Sequence, residues 1–196
     1  METSKLEARY RPGRERKGIA LCLSGGGFRA ALFHAGALRR LNELGVLSQV
    51  RTISSVSGGS IASGLLATVW TRLERDGTRF TNLETLFEQP LRAFCGRNIR
   101  NGPLLWGRLN PGNWPRLLSS AFSATDLLAV EYQRLLGTVR LGALPDNPRF
   151  VFCAANLQTG VSFELSAQSI GDYVLGYSEP GQLTLAEAVA ASSSFP

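Results

Sequence analysis

Histidine is almost missing from this chain: its 196 residues hold one, His34. A lone imidazole and three cysteines, none of them in a C-x-x-C pair, exclude a His/Cys metal centre. The cysteines, at 22, 95 and 153, are odd in number, and Cys22 and Cys153 sit in apolar, strand-like runs. Buried free thiols in a reducing compartment are the expectation. No run of 18 apolar residues exists, so nothing in the sequence spans a bilayer, and the charged N-terminus has no apolar core of a secretory signal. A cytoplasmic protein that meets a membrane only peripherally fits these absences. Lysine is scarce too, since 19 of the 21 basic residues are arginine in a chain of net charge +6. Arginine forks suit phosphate and carboxylate groups, so a basic surface could meet anionic headgroups or nucleic acid. No Lys/Arg block and no RNA-binding signature is present, which sets nucleic acid aside.

What is present reads as a globular protein, with 44% apolar and 18% charged residues. Residues 1–16 form a basic leader, and 17–196 carry the folded domain. The run 17–23 (KGIALCL) is a short strand. Apolar residues at Phe28, Ala31, Leu32, Ala35, Leu38 and Leu41 follow the helical period, which predicts a helix over 28–44 stopped by Gly45. A second strand (51–56) and a second helix (Gly58 towards Leu73) follow. Strand, helix, strand, helix predicts a parallel sheet with helical cover. Thr81 and Glu84 form a capping-box pattern for a helix over 82–95, and Thr184 and Glu187 form another for LAEAVAASSS. Residues 97–122 read as a long irregular loop, 125–137 as a helix, and 149–155 and 161–166 as two strands joined through Gly160.

Two motifs carry chemistry. Ser24-Gly25-Gly26-Gly27-Phe28-Arg29-Ala30 lies between the first strand and its helix. Glycines allow a tight turn with backbone N–H groups facing open space, and the helix start adds unpaired donors and partial positive charge. Such a loop suits a phosphate or the oxyanion of an acyl-transfer intermediate; a plain strand-to-helix turn is the structural alternative. A dinucleotide site ranks lower, because Ala30 stands where a glycine is needed and Ile53-Ser54-Ser55 ends the second strand without a carboxylate.

The second motif, Ser55-Val56-Ser57-Gly58-Gly59-Ser60, has the spacing of a nucleophile elbow with Ser55 in the first glycine position. Ser57 is its centre. Consecutive parallel strands end at one sheet edge, so donor loop and elbow should face one crevice. A serine needs a base. His34 lies in the first helix and reads as a residue that packs or hydrogen-bonds there, which argues against a Ser-His-Asp triad and for a Ser-carboxylate pair.

SGGGFRAALFHAGALRRL followed by SSVSGGS resembles the patatin-like phospholipase family, with support from Asn156-Leu157-Gln158-Thr159-Gly160 and AVAASSSFP. The resemblance is firm over 17–70 and 151–196 and loose over 71–148. It implies a three-layer α/β/α sandwich with a mainly parallel central sheet. The implied activity is hydrolysis of acyl esters in phospholipids or other lipids through a Ser-Asp dyad, without metal or other cofactor. Ser57 is then the nucleophile, the glycine loop (Gly25, Gly26, Gly27, Phe28 and Arg29) the oxyanion hole, and Ser55, Gly58 and Gly59 the elbow. The family's dyad Asp lies in a D-G-[GA] motif, and none occurs here: Asp76-Gly77 lacks the third residue and reads as a surface turn. Asp126, Asp146 and Asp172 carry no motif either. The expectation is a C-terminally truncated domain, with an inactive lipid-binding or regulatory module as the alternative. Arg29 could guide an anionic headgroup, brace the loop or form a plain salt bridge. Arg39 and Arg40 read as the solvated side of their helix. The segment 104–116, rich in tryptophan and arginine, has the mix of an interfacial patch or of buried aromatics.

Overall fold

The protein is described by a computed structural model covering residues 17–96 and 124–194. The basic leader, the irregular segment 97–122 and the candidate interfacial patch within it lie outside the described residues.

Strand β1 (Ile19–Leu23) leads into helix α1 (Gly27–Glu43), strand β2 (Val50–Val56) and helix α2 (Gly58–Val69). Gly45 stops α1 in the left-handed conformation at φ 71°, and the Val46 N–H closes back on the Leu41 carbonyl at 2.9 Å. A small hairpin, β3 (Arg75–Asp76) and β4 (Arg79–Phe80), follows. Buried Asn42 clamps it to α1, donating to the Phe80 carbonyl and accepting from the Phe80 N–H. Gly77 and Thr78 form the turn of this hairpin directly after Asp76, so the Asp76-Gly77 pair lies at a turn as its sequence suggested. The helix expected over 82–95 forms as a π-helical segment (Glu84–Glu88) running into α3 (Gln89–Cys95). Its capping box does not form. The Thr81 N–H and hydroxyl both bond to the Glu74 carbonyl, so the hairpin has already taken the cap.

Helix α4 (Ala124–Leu136), strands β5 (Arg149–Ala155), β6 (Ser162–Ser166), β7 (Ile170–Asp172) and β8 (Gly176–Ser178), and helix α5 (Leu185–Ser193) complete the described elements. The Thr184–Glu187 capping box of α5 is present with both reciprocal bonds. The sheet runs in the order β1-β2-β5-β6-β7-β8. The pairs β1–β2 and β2–β5 are parallel, while β5 to β8 form an antiparallel meander. The architecture is thus α/β with a mixed sheet. The parallel part expected from the alternation holds the site strands, and β7 and β8 are too short to have announced themselves.

Both crossovers, β1 to β2 and β2 to β5, step the same way across the sheet. Right-handed connections then put their helices on the same face. Leu23, Ile53, Phe150 and Phe152 are buried beneath that face, and α1 to α5 pack with one another over it. The opposite face carries Cys22, Ser54 and Cys153, and no described helix covers it. This corrects the reading of the thiols: all three are free, but Cys22 is exposed and Cys153 half-buried, because apolar strand residues alternate between a covered and an uncovered face.

Candidate active site

Ser57 stands between the last residue of β2 and the first of α2 with φ 52° and ψ −116°. It is the only non-glycine residue with positive φ among those described. Holding an L-residue there costs about 1–3 kcal/mol, which surrounding contacts must supply. Its carbonyl accepts from the N–H groups of Ser60 (2.8 Å) and Ile61 (3.1 Å) and so opens α2. Its own N–H donates to the Ser192 hydroxyl at 3.0 Å. The half-buried Ser57 side chain has no hydrogen-bond partner among the described residues.

The two glycine motifs interlock at this point. A methyl group on Gly58 would fall 2.1 Å from the Gly27 carbonyl oxygen, and one on Gly59 would fall 2.4 Å from that of Leu23. Only glycine permits backbone to pass backbone this closely. The result is that Gly25 faces the serine: a methyl there would lie 3.3 Å from Ser57 Cβ and 3.9 Å from its Oγ. Gly26 and Gly27 take φ 134° and 63° to start α1. No side chain caps that helix. Its first N–H groups, from Gly27 to Arg29, therefore point out of the helix on the rim where Ser57 stands. Phe28 anchors the loop, its ring edge-on to Phe94 at 5.9 Å. Arg29 is exposed and forms no ion pair among the described residues.

His34 is buried, and its Nε2 lies 2.9 Å from the Ser24 carbonyl, tying α1 to the glycine loop. That is the packing role its helix position suggested. Arg39 and Arg40 are paired with Glu43 on the solvated side of α1. Ser55, in the elbow's first glycine position, is buried and bonds to the Ser63 hydroxyl (2.7 Å) and the Val151 carbonyl (3.3 Å). A serine fits there because these two partners satisfy its hydroxyl.

Sequence reasoning missed Ser192. Its hydroxyl donates to the Cys153 carbonyl (2.6 Å), meets Ser60 Oγ (2.8 Å) and receives the Ser57 N–H. It thereby ties α5, β5 and the elbow together. A signal was present: Leu185, Ala188, Val189 and Ser192 share one helical face, and all are buried.

Asp172 is the other missed residue. Its Oδ1 accepts from the N–H groups of Val174 (2.8 Å) and Leu175 (2.7 Å), and its Oδ2 from Asn156 Nδ2 (2.7 Å) and Thr159 Oγ1 (3.5 Å). The Leu175 N–H above all, with the Asn156 amide and the Val174 N–H, holds its carboxyl below the ordinary range. Occupied at both oxygens, it serves as a fastener rather than a base. Among the described residues no cluster of His, Cys, Asp or Glu could hold a metal ion, and no helix is long and apolar enough to cross a membrane.

The family model for patatin-like phospholipases matches residues 21–196. The chain belongs to this family. Among solved structures, the chain is similar to human GIVD cytosolic phospholipase A2 in complex with methyl γ-linolenyl fluorophosphonate. The TM-score is 0.63 at 20% identity, covering 90% of this chain and 29% of that one. Another structure of human GIVD cytosolic phospholipase A2 gives 0.57 at 19% identity, covering 97% and 30%. At these identities the likeness is one of fold. ExoU of Pseudomonas aeruginosa, in complex with SpcU, has a TM-score of 0.39 at 22% identity, covering 90% and 38%, and adds nothing to the assignment. No curated protein sequence matches the chain. The chain spans about 30% of the length of the human phospholipase it resembles.

Proposed function

We propose that this chain carries the nucleophile and oxyanion hole of a lipid acyl hydrolase. Ser57 Oγ attacks the acyl carbonyl carbon and gives its proton to a general base. The carbonyl oxygen becomes an oxyanion, held by N–H groups of the loop from Gly25 to Arg29. Collapse of the tetrahedral intermediate expels the alcohol, which takes up a proton, and leaves an acyl-Ser57 ester. Water then attacks that ester, releasing the fatty acid and restoring the hydroxyl. The family resemblance assigns the base to an aspartate in a D-G-[GA] motif, which these 196 residues do not contain. Phospholipids or other acyl-ester lipids are the proposed substrates.

One observation carries this reading: a strained, half-buried serine whose Oγ lies 3.9 Å from the methyl position of Gly25, on the edge where the uncapped α1 begins. The test is a fluorophosphonate probe, which reacts with activated serines. The protein should label at Ser57 and lose labelling in Ser57→Ala. Labelling that persists in that variant discards the assignment.

The missing aspartate motif favours a second reading, a catalytically inactive module that keeps the fold to bind lipid. Absence of probe labelling in folded protein, with vesicle binding retained, selects it.

A further inference from the structure

A run of glycines has no side chains to hold its own shape, so the donor loop depends on what grips its two ends. At its start the buried His34 side chain reaches the Ser24 carbonyl at 2.9 Å. At its finish stands Phe28, the first side chain after Gly25, Gly26 and Gly27, whose own N–H is one of the proposed donors. Its half-buried ring packs against the core. That ring meets Phe94 of α3 edge-on, with centroids 5.9 Å apart and planes at 73°. Phe94 is 3% exposed and in turn meets the ring of Tyr132 on α4 at 6.0 Å.

These rings bridge the two halves of the site. α4 packs on α5, and α5 carries Ser192, which receives the Ser57 N–H at 3.0 Å. Packed groups therefore run from the donor loop through Phe28, Phe94, Tyr132 and α5 to the nucleophile's own backbone. A second aromatic cluster gives the contrast: Trp70 meets Phe80 at 5.2 Å and Phe150 at 6.2 Å, both edge-on. Asn42, in the last turn of α1, binds the Phe80 backbone, so Phe80 lies at the far end of that helix from the glycine loop. Phe94 and Tyr132 fall within 71–148, where the family resemblance is loose, so neither belongs to the motifs that announce the site.

We infer that Phe94, backed by Tyr132, is a positioning residue for acyl transfer: its ring clamps Phe28 and so fixes where the backbone donors of the glycine loop stand relative to Ser57 Oγ. Edge-to-face rings constrain distance and tilt as well as burying area, which a flexible aliphatic side chain does not do. An oxyanion cradle needs that constraint, because a misplacement of about 1 Å costs roughly a hundredfold in rate. This deepens the hydrolase reading and rests on it for the role of those N–H groups.

Two readouts separate the clamp from that reading. One is the rate of Ser57 labelling at saturating fluorophosphonate, set beside the probe concentration that half-saturates it. The other needs no activity: hydrogen exchange at the Ala30 amide, which donates to the Gly26 carbonyl at the start of α1 (3.4 Å), compared with amides in the last turn of that helix. Phe94→Leu should lower the saturating rate about tenfold and leave the half-saturating concentration near the parental value. It should also speed exchange at Ala30 about tenfold while the last turn keeps its parental rate. Phe80→Leu removes an equally buried ring at the far end of α1 and should lose stability with neither change. Phe28→Leu cuts the same contact from a half-buried position, and it decides alone should Phe94→Leu not fold. The double variant should label no slower than Phe94→Leu, because both substitutions delete one contact. Parental labelling and exchange in the two single variants, the same losses in Phe80→Leu, additive losses in the double variant, or equal rises in exchange at both ends of α1 each overturn the clamp. If the folded parent itself does not label, the hydrolase reading falls, and exchange at Ala30 still decides whether Phe94 holds the loop.

Discussion

The two ends of one sheet edge are built by opposite means. At the β1–β2 end side chains are removed: Gly58 and Gly59 let the elbow lie against Gly27 and Leu23, and the proposed chemistry rests on backbone N–H groups and one hydroxyl. At the β5–β8 end large apolar side chains are displayed, and a single carboxylate does the fastening. Reach decides the difference. A cradle of backbone donors closes on a reacting oxygen only where no side chain stands in the way, whereas at the other end the hairpin tips project apolar area outward.

The largest effect expected from this contrast is at the interlock. Gly58→Ala puts a methyl 2.1 Å from the Gly27 carbonyl, backbone against backbone, with no flexible neighbour to yield. A loss of about 3 kcal/mol in chemical denaturation is expected, with probe labelling of Ser57 abolished. Gly27→Ala is the control: nothing lies within 4 Å of its methyl, and only the left-handed φ of 63° opposes it. About 1 kcal/mol is expected there. Equal costs at the two sites would break the interlock.

Ser192→Ala comes next. It leaves the Ser57 N–H without its acceptor and the Cys153 carbonyl without its donor, so about 1–3 kcal/mol and a slower labelling rate are expected. Ser193 bonds instead to Tyr132 and the Val189 carbonyl, away from the elbow. Ser193→Ala should therefore leave the labelling rate unchanged, and a rate loss there equal to that of Ser192→Ala would remove the claim that Ser192 positions the nucleophile.

At the other end the readout is pH. The Asp172 carboxyl titrates lower in the folded protein than in the unfolded chain. Its contribution is complete above the unfolded value of about 3.9 and is lost as pH falls through the folded one. Thermal melts of Asp172→Asn should sit below the parent at neutral pH, with the gap closing below pH 4. A gap that is constant with pH would deny the carboxylate its fastening role.

The smallest effect tests the two sheet faces. Thiol reagent at pH 8 should modify exposed Cys22 first and Cys95 last, since burial pushes the Cys95 thiol up to about 11 and leaves about one part in a thousand as thiolate. Cys22 reacting as slowly as Cys95 would mean that its face is covered.

Much of this was legible from local pattern. The helical period from Phe28 to Leu41, the stop at Gly45, the Thr184 cap and the strands flanking both glycine motifs all formed within a few residues of their expected bounds. The capping box at Thr81 failed because its hydroxyl had a partner seven residues upstream, in a hairpin too short for any alternation to show. Cys22 was misjudged because a strand's pattern shows that its two faces differ but not which elements cover them.

Backbone conformation at a turn is a local matter, so order along the chain was enough to propose Ser57 and the glycine loop and to place both on one edge of the sheet. Contacts between distant segments are not. Ser192 reaches the elbow across 135 residues because α5 packs on β5 and α2, and Asp172 gathers two hairpins because the sheet brings separate strands within about 5 Å of one another. Folding in three dimensions chose those partners.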